Sequence, residues 1–116
     1  MSSPAIITVR FTRQGFHRWP SAPQHRAYLA QRHRHLFHVE CSMAVAHDDR
    51  DVEFHDMLDF CRGAFVGGEM GDWSCELMAR TLAKEIARRY GRAATVAVFE
   101  DGEVGATVTE APTSAN

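Results

Sequence analysis

Hydrophobic and polar residues alternate near both ends of the chain, while its middle carries apolar residues at helical spacing. In residues 5–17, AIITVRFTRQGFH, Ile7, Val9 and Phe11 alternate with Thr8, Arg10 and Thr12, the period of a half-buried strand. Gly15 marks a position where a bulge or bend is tolerated. Residues 19–32 read as a loop punctuated by Pro20 and Pro23, with room for a short helical turn. A second strand then opens at His33, and one of its faces reads His33, His35, Phe37, Val39, Cys41, Met43, Val45. HDDRD, residues 47–51, is a polar turn.

Residues 53–65 place Phe54, Met57, Leu58, Cys61 and Phe65 at helical spacing, and Gly67, Gly68 and Gly71 then break the chain. Ser74 or Asp72 caps a longer helix whose apolar stripe is Cys75, Met78, Ala79, Leu82, Ala83, Ile86 and Tyr90. Gly91 lies just past its end, where a left-handed stop is expected. Residues 94–100 and 104–110 read as a hairpin around Asp101-Gly102. The order β-β-α-α-β-β predicts one α+β domain over residues 1–110, an antiparallel four-stranded sheet with two helices on one face. Residues 111–116, APTSAN, are expected to be a disordered tail. Four strands leave edges to cover, so assembly by edge pairing fits the pattern.

Composition narrows the function classes. Hydrophobic residues make up 45% of the chain and charged ones 24%, ordinary for a globular protein with a real core. A formal net charge of -2 gives no electrostatic reason to bind nucleic acid or an anionic membrane. No apolar run reaches bilayer length, and the N-terminus lacks the pattern of a secretory signal. Cys41, Cys61 and Cys75 have no metal-type spacing and an odd count, which points to a reduced, cytoplasmic setting. The one excess is seven histidines.

Histidine is the commonest metal ligand, so position decides what that excess means. On a strand, His33 and His35 point the same way, roughly 6–7 Å apart. His17 ends the first strand in phase with Ile7, Val9 and Phe11, provided Gly15 does not shift the register. A hairpin of the two strands brings His17 to His33 and His35, and three imidazoles suit a zinc ion with one open position. The competing reading is a polar, solvated strand end.

Beyond these residues the chain carries a series of short motifs: FHRWP, then HRH, VEFHDML, SCELMA and VAVFED. In this order they resemble the 6-pyruvoyl-tetrahydropterin synthase and 6-carboxytetrahydropterin synthase family, over roughly Phe11 to Thr107. The resemblance implies a tunnelling-fold subunit of ββααββ topology that assembles into trimers or hexamers. It implies zinc on His17, His33 and His35. It implies that Glu100 anchors a pterin- or purine-like ring, with Ser74 and Cys75 beside it, and that the ligand pocket lies between subunits, where Glu100 comes from a neighbouring chain.

Two departures bear on catalysis. The family's catalytic cysteine, four residues before the His-x-His, is Leu29 here, and residues 62–73 contain no Asp-His pair. Cys75, at a helix start, and His55 with Asp56 are the remaining candidates for acid–base work. Cys41 and Cys61 fall on apolar faces and read as core, and His25, His38 and His47 as surface. Two functions follow. One is a carbon–oxygen lyase or synthase acting on a dihydroneopterin triphosphate-type substrate in a pterin or 7-deazaguanine (queuosine) pathway. The other is a non-enzymatic binding or structural oligomer that lost the base.

Overall fold

The computed structural model describes residues 3–113, so the last part of the expected tail, residues 114–116, lies outside the described residues. Strand β1 (Ile6–His17) and strand β2 (His33–Ala44) form a long antiparallel hairpin. Its loop carries a short 3-10 helix, Gln24–Ala30, starting just after Pro23. Helix α1 (Phe54–Ala64) begins where the Glu53 carboxylate accepts the His55 N–H at 2.6 Å. Strand β3 (Gly68–Glu69) follows, then helix α2 (Cys75–Tyr90), strand β4 (Ala94–Glu100) and strand β5 (Val104–Glu110). Ser74 Oγ caps α2 by accepting the Leu77 N–H at 3.1 Å, and Gly91 ends the helix at φ 67°, a left-handed conformation that costs glycine little.

The α+β class is as the patterning predicts, but the sheet is not a four-stranded antiparallel one. It has five strands in the order β3-β1-β2-β4-β5, and β3 runs parallel to β1. The glycine break accounts for the addition. Gly67 and Gly68 both take φ near 73°, and a Cβ on Gly67 would lie 2.7 Å from the Gln14 carbonyl oxygen. A side chain at position 67 would hold the chain off β1. With glycines it closes in and adds a two-residue edge strand.

Gly15 makes no bulge. The β1–β2 register is unbroken from Ile6↔Ala44 to His17↔His33, so His17 stays in phase with Val9 and Phe11. The reason for glycine is room: a Cβ at position 15 would lie 2.8 Å from the ring of Phe37. The inward face of the sheet supplies Val9, Phe11, Phe37, Val39, Cys41, Met43, Val96 and Val98 to the core. Met57 and Cys61 of α1, and Met78, Ala79, Leu82, Ala83 and Ile86 of α2, pack onto them. Cys41 and Cys61 are core residues, as their apolar faces require. Among the described residues, no helix is long and apolar enough to cross a membrane.

Candidate metal centre

Strand geometry puts the histidines together. His17 and His33 are direct cross-strand partners, and His35 sits opposite Gly15, whose missing side chain leaves its face clear. The three rings stand nearly edge-on to one another: centroids are 4.5 Å apart for His17–His33, 4.9 Å for His33–His35 and 5.2 Å for His17–His35. His17 is buried, at 8% exposure, beneath this cluster and against Phe37.

Each ring is held by its Nδ1. His17 Nδ1–H donates to the Trp73 carbonyl at 2.8 Å, and His33 Nδ1–H to the Gln31 carbonyl at 2.8 Å. His35 Nδ1–H donates to Asp101 Oδ2 at 2.7 Å. A carbonyl or carboxylate only accepts, so the proton of each neutral ring sits on Nδ1 and the Nε2 lone pair turns into the cluster. This is the arrangement that metal-ligating histidines adopt.

Glu100 completes the group. It pairs with Phe37 across β2 and β4 and continues the inward stripe of Ala94, Val96 and Val98. Its Oε2 lies 2.9 Å from His17 Nε2 and 3.4 Å from His35 Nε2. Both Nε2 atoms are nevertheless buried without a hydrogen bond, because with the proton on Nδ1 a lone pair faces a carboxylate lone pair. Such a contact calls for a cation or a further proton between the two atoms. Glu100, foremost, and the Trp73 carbonyl raise the His17 pKa above its ordinary 6.5 against the opposing effect of burial. His17 and the neighbouring imidazoles lower that of Glu100 below 4.5, again against burial. His17, His33, His35 and Glu100 each bring one ligand atom to within 4.8 Å of the others, forming a group that could hold a metal ion. The sequence-level expectation that Glu100 reaches the histidines from a neighbouring chain is corrected: β4 lies beside β2, so the same chain supplies it.

A cleft of about 400 Å³ opens on this cluster. His17, His33 and Glu100 form its floor, Ser74 and Cys75 bring the start of α2, and Trp19 and Trp73 stand at its walls. Leu29 also lines it and offers no reactive atom. The Cys75 thiol is pushed up to about 12 by burial, by Glu100 and by Glu76, so near neutral pH it is a thiol and not a thiolate base. His55 and Asp56 are not brought to the cluster. They open α1 near the Ile7 end of β1, and ten strand residues, about 33 Å, separate Ile7 from His17. The helix runs from there toward the site and ends near Arg13, whose guanidinium donates to the Arg62 carbonyl. His25 and His47 are exposed, and His38 is half-buried against Gly102.

Sequence reasoning missed Trp19, Trp73 and Asp101. The two tryptophans stood in segments read as loop. The sequence marks Asp101 as a turn residue, and the one signal that could have found it is that an aspartate following Glu100 on a hairpin puts a second carboxylate beside the cluster.

A scan against protein-family models matches none, and a search of curated proteins finds no match to the chain. The family resemblance therefore stands on the short motifs alone.

Proposed function

We propose that the protein is a zinc-binding, 6-pyruvoyl-tetrahydropterin synthase-like subunit that takes a pterin- or purine-like ring in the cleft beside its metal. The observation that carries the reading is the set of three Nδ1-anchored imidazoles and one carboxylate converging on a common point. Nitrogen and carboxylate donors in this number suit zinc. Zinc held by His17, His33 and His35 would act as a Lewis acid toward an oxygen of the ligand.

The chain's own residues account for ring recognition. A carboxylate has lone pairs for more than one partner, so Glu100 can face the metal with Oε2 and accept an N–H of the ring with its other oxygen. Trp19 and Trp73 offer flat apolar faces for stacking. Ser74 Oγ accepts the Leu77 N–H in capping α2, which leaves its O–H, together with the free N–H groups of the helix start, to donate to ring acceptors.

Leu29 and the neutral Cys75 favour a binding module over a lyase, because no side chain lining the cleft combines nucleophilic character with a thiolate charge. Assembly into a trimer or hexamer is part of the proposal and is supported by β5, which lies at the edge of the sheet and, among the described residues, pairs with β4 alone.

Metal analysis of purified protein tests the reading. One zinc per chain, lost in His33→Ala, is the expected result, and a wild-type protein that binds no zinc overturns it. Incubation with dihydroneopterin triphosphate, followed by mass spectrometry, is expected to show bound but unconverted ligand; a new product would restore the lyase.

A further inference from the structure

The three imidazoles are not anchored alike. His17 and His33 lean on neutral backbone carbonyls, whereas His35 leans on a carboxylate, Asp101. We infer that Asp101 is a positioning residue for the metal: it fixes the tautomer and orientation of His35 and balances the charge of a divalent cation. The inference rests on the metal reading above and adds to it a residue that makes no contact with the metal.

Asp101 is held in place from three directions. Its Oδ1 accepts the Leu36 N–H at 2.9 Å while Oδ2 accepts His35 Nδ1–H at 2.7 Å, so the two oxygens span adjacent residues of β2. Its own N–H donates to the Leu36 carbonyl at 2.8 Å. The residue sits at φ 55°, a left-handed conformation in which a side chain is tolerated at some cost. Glycine would adopt that conformation freely, and Gly102 beside it does, at φ 76°. A turn that needed only the backbone shape has no use for the carboxylate. What the carboxylate adds is a pair of bonds, one to the Leu36 N–H that ties down the turn and one to His35 that reaches the cluster.

Charge points the same way. Three neutral imidazoles with Glu100 carry one negative charge, which leaves a divalent cation half-compensated. Asp101 supplies the second negative charge through the His35 ring. The turn dipeptide Glu100-Asp101 thus brings one carboxylate to the metal and a second to one of its ligands.

Two substitutions at this position separate positioning from turn formation. In Asp101→Asn the side-chain oxygen keeps the Leu36 bond and the left-handed conformation is tolerated. The amide N–H then faces His35 Nδ1, which must accept, driving the ring proton to Nε2 and blocking ligation. Asp101→Gly loses the side chain but leaves His35 free to choose its tautomer. The Asn variant is structurally the milder one, yet for a positioning residue it is the more damaging.

The test is zinc affinity of wild type and both variants, by competition with a chromogenic chelator, beside the melting temperature of each metal-free protein. The expected result is a loss of about 10- to 100-fold in Asp101→Asn, a smaller loss in Asp101→Gly, and a metal-free Asn variant that melts near wild type. A loss of less than tenfold in Asp101→Asn, or a larger loss in Asp101→Gly, overturns the inference while leaving the metal reading intact. A wild type with no zinc affinity overturns both. Should the Asn variant fail to fold, Asp101→Gly decides alone: weaker zinc binding than wild type supports the inference, and unchanged binding overturns it.

Discussion

His17 is the side chain about which the centre is organised, since it is the buried ring of the three and touches every other member. Its Nδ1 reaches Trp73, its Nε2 faces Glu100, and both partner histidines stand against its ring. Burying an imidazole in this way is favourable only when both nitrogens have a use. Cys75 shows the opposite residue-scale outcome. It lies at a helix start, where a thiolate is normally favoured, but burial and two carboxylates outweigh that and push the thiol up to about 12. Folded protein treated with a thiol reagent at pH 8 is therefore expected to react slowly, with all three cysteines buried, and to yield three thiols once unfolded. One rapidly reacting thiol in the native protein would contradict this assignment. Residue identities alone carried the histidine trio, because parity along each strand and a hairpin connection suffice to bring the rings together. They did not carry Trp73, whose contribution is a backbone carbonyl that no side-chain pattern encodes.

The elements depend on glycine wherever chains approach closely. Gly105 is the most demanding case: it pairs with Phe99 across β4 and β5, and a Cβ there would lie 2.0 Å from the Val98 carbonyl oxygen and 2.6 Å from Phe99 Cα. These are backbone atoms, so the strand must shift to accept any side chain. Gly105→Ala is expected to destabilise the protein by at least about 1–3 kcal/mol in urea unfolding, and to distort the cleft that Gly105 lines. A variant as stable as wild type would mean that β5 does not hug β4 in this way. The hairpins and helices were legible because their signals are local: alternation, helical spacing, a capping serine and a stop glycine. Strand β3 was not, because two residues carry no periodicity and their pairing is set by what the glycines at 67 and 68 permit. Whether Gly15 bends the strand was open for a related reason, and the register runs through it unbroken. Sequence marks a glycine but not whether it serves backbone bending or the space needed by Phe37.

For the whole molecule, the proposed metal and protons would compete for the same cluster. In the metal-free protein the lowered Glu100 contributes stability above its ordinary 4.5 and loses it as pH falls through the folded value. The raised His17 contributes fully below its ordinary 6.5 and loses it as pH rises through the folded value. This pair thus favours the metal-free fold most between about 4.5 and 6.5, falling off on both sides. Zinc, if it is the ion as proposed, would require the neutral ring, so its contribution would grow in the range where the proton's is lost. With free zinc at 100 times Kd the gain is about 2.7 kcal/mol. Melting curves with zinc and with chelator should therefore diverge progressively as pH rises from 5 to 8. A gap that does not widen would show that zinc binds elsewhere.

X-ray absorption at the zinc edge of the loaded protein tests the centre most directly. Light nitrogen and oxygen scatterers at about 2.0–2.2 Å, with outer-shell scattering from three imidazole rings and no sulfur, are the predicted result. A sulfur shell, or fewer than three imidazoles, would contradict the convergence of His17, His33 and His35 on one ion.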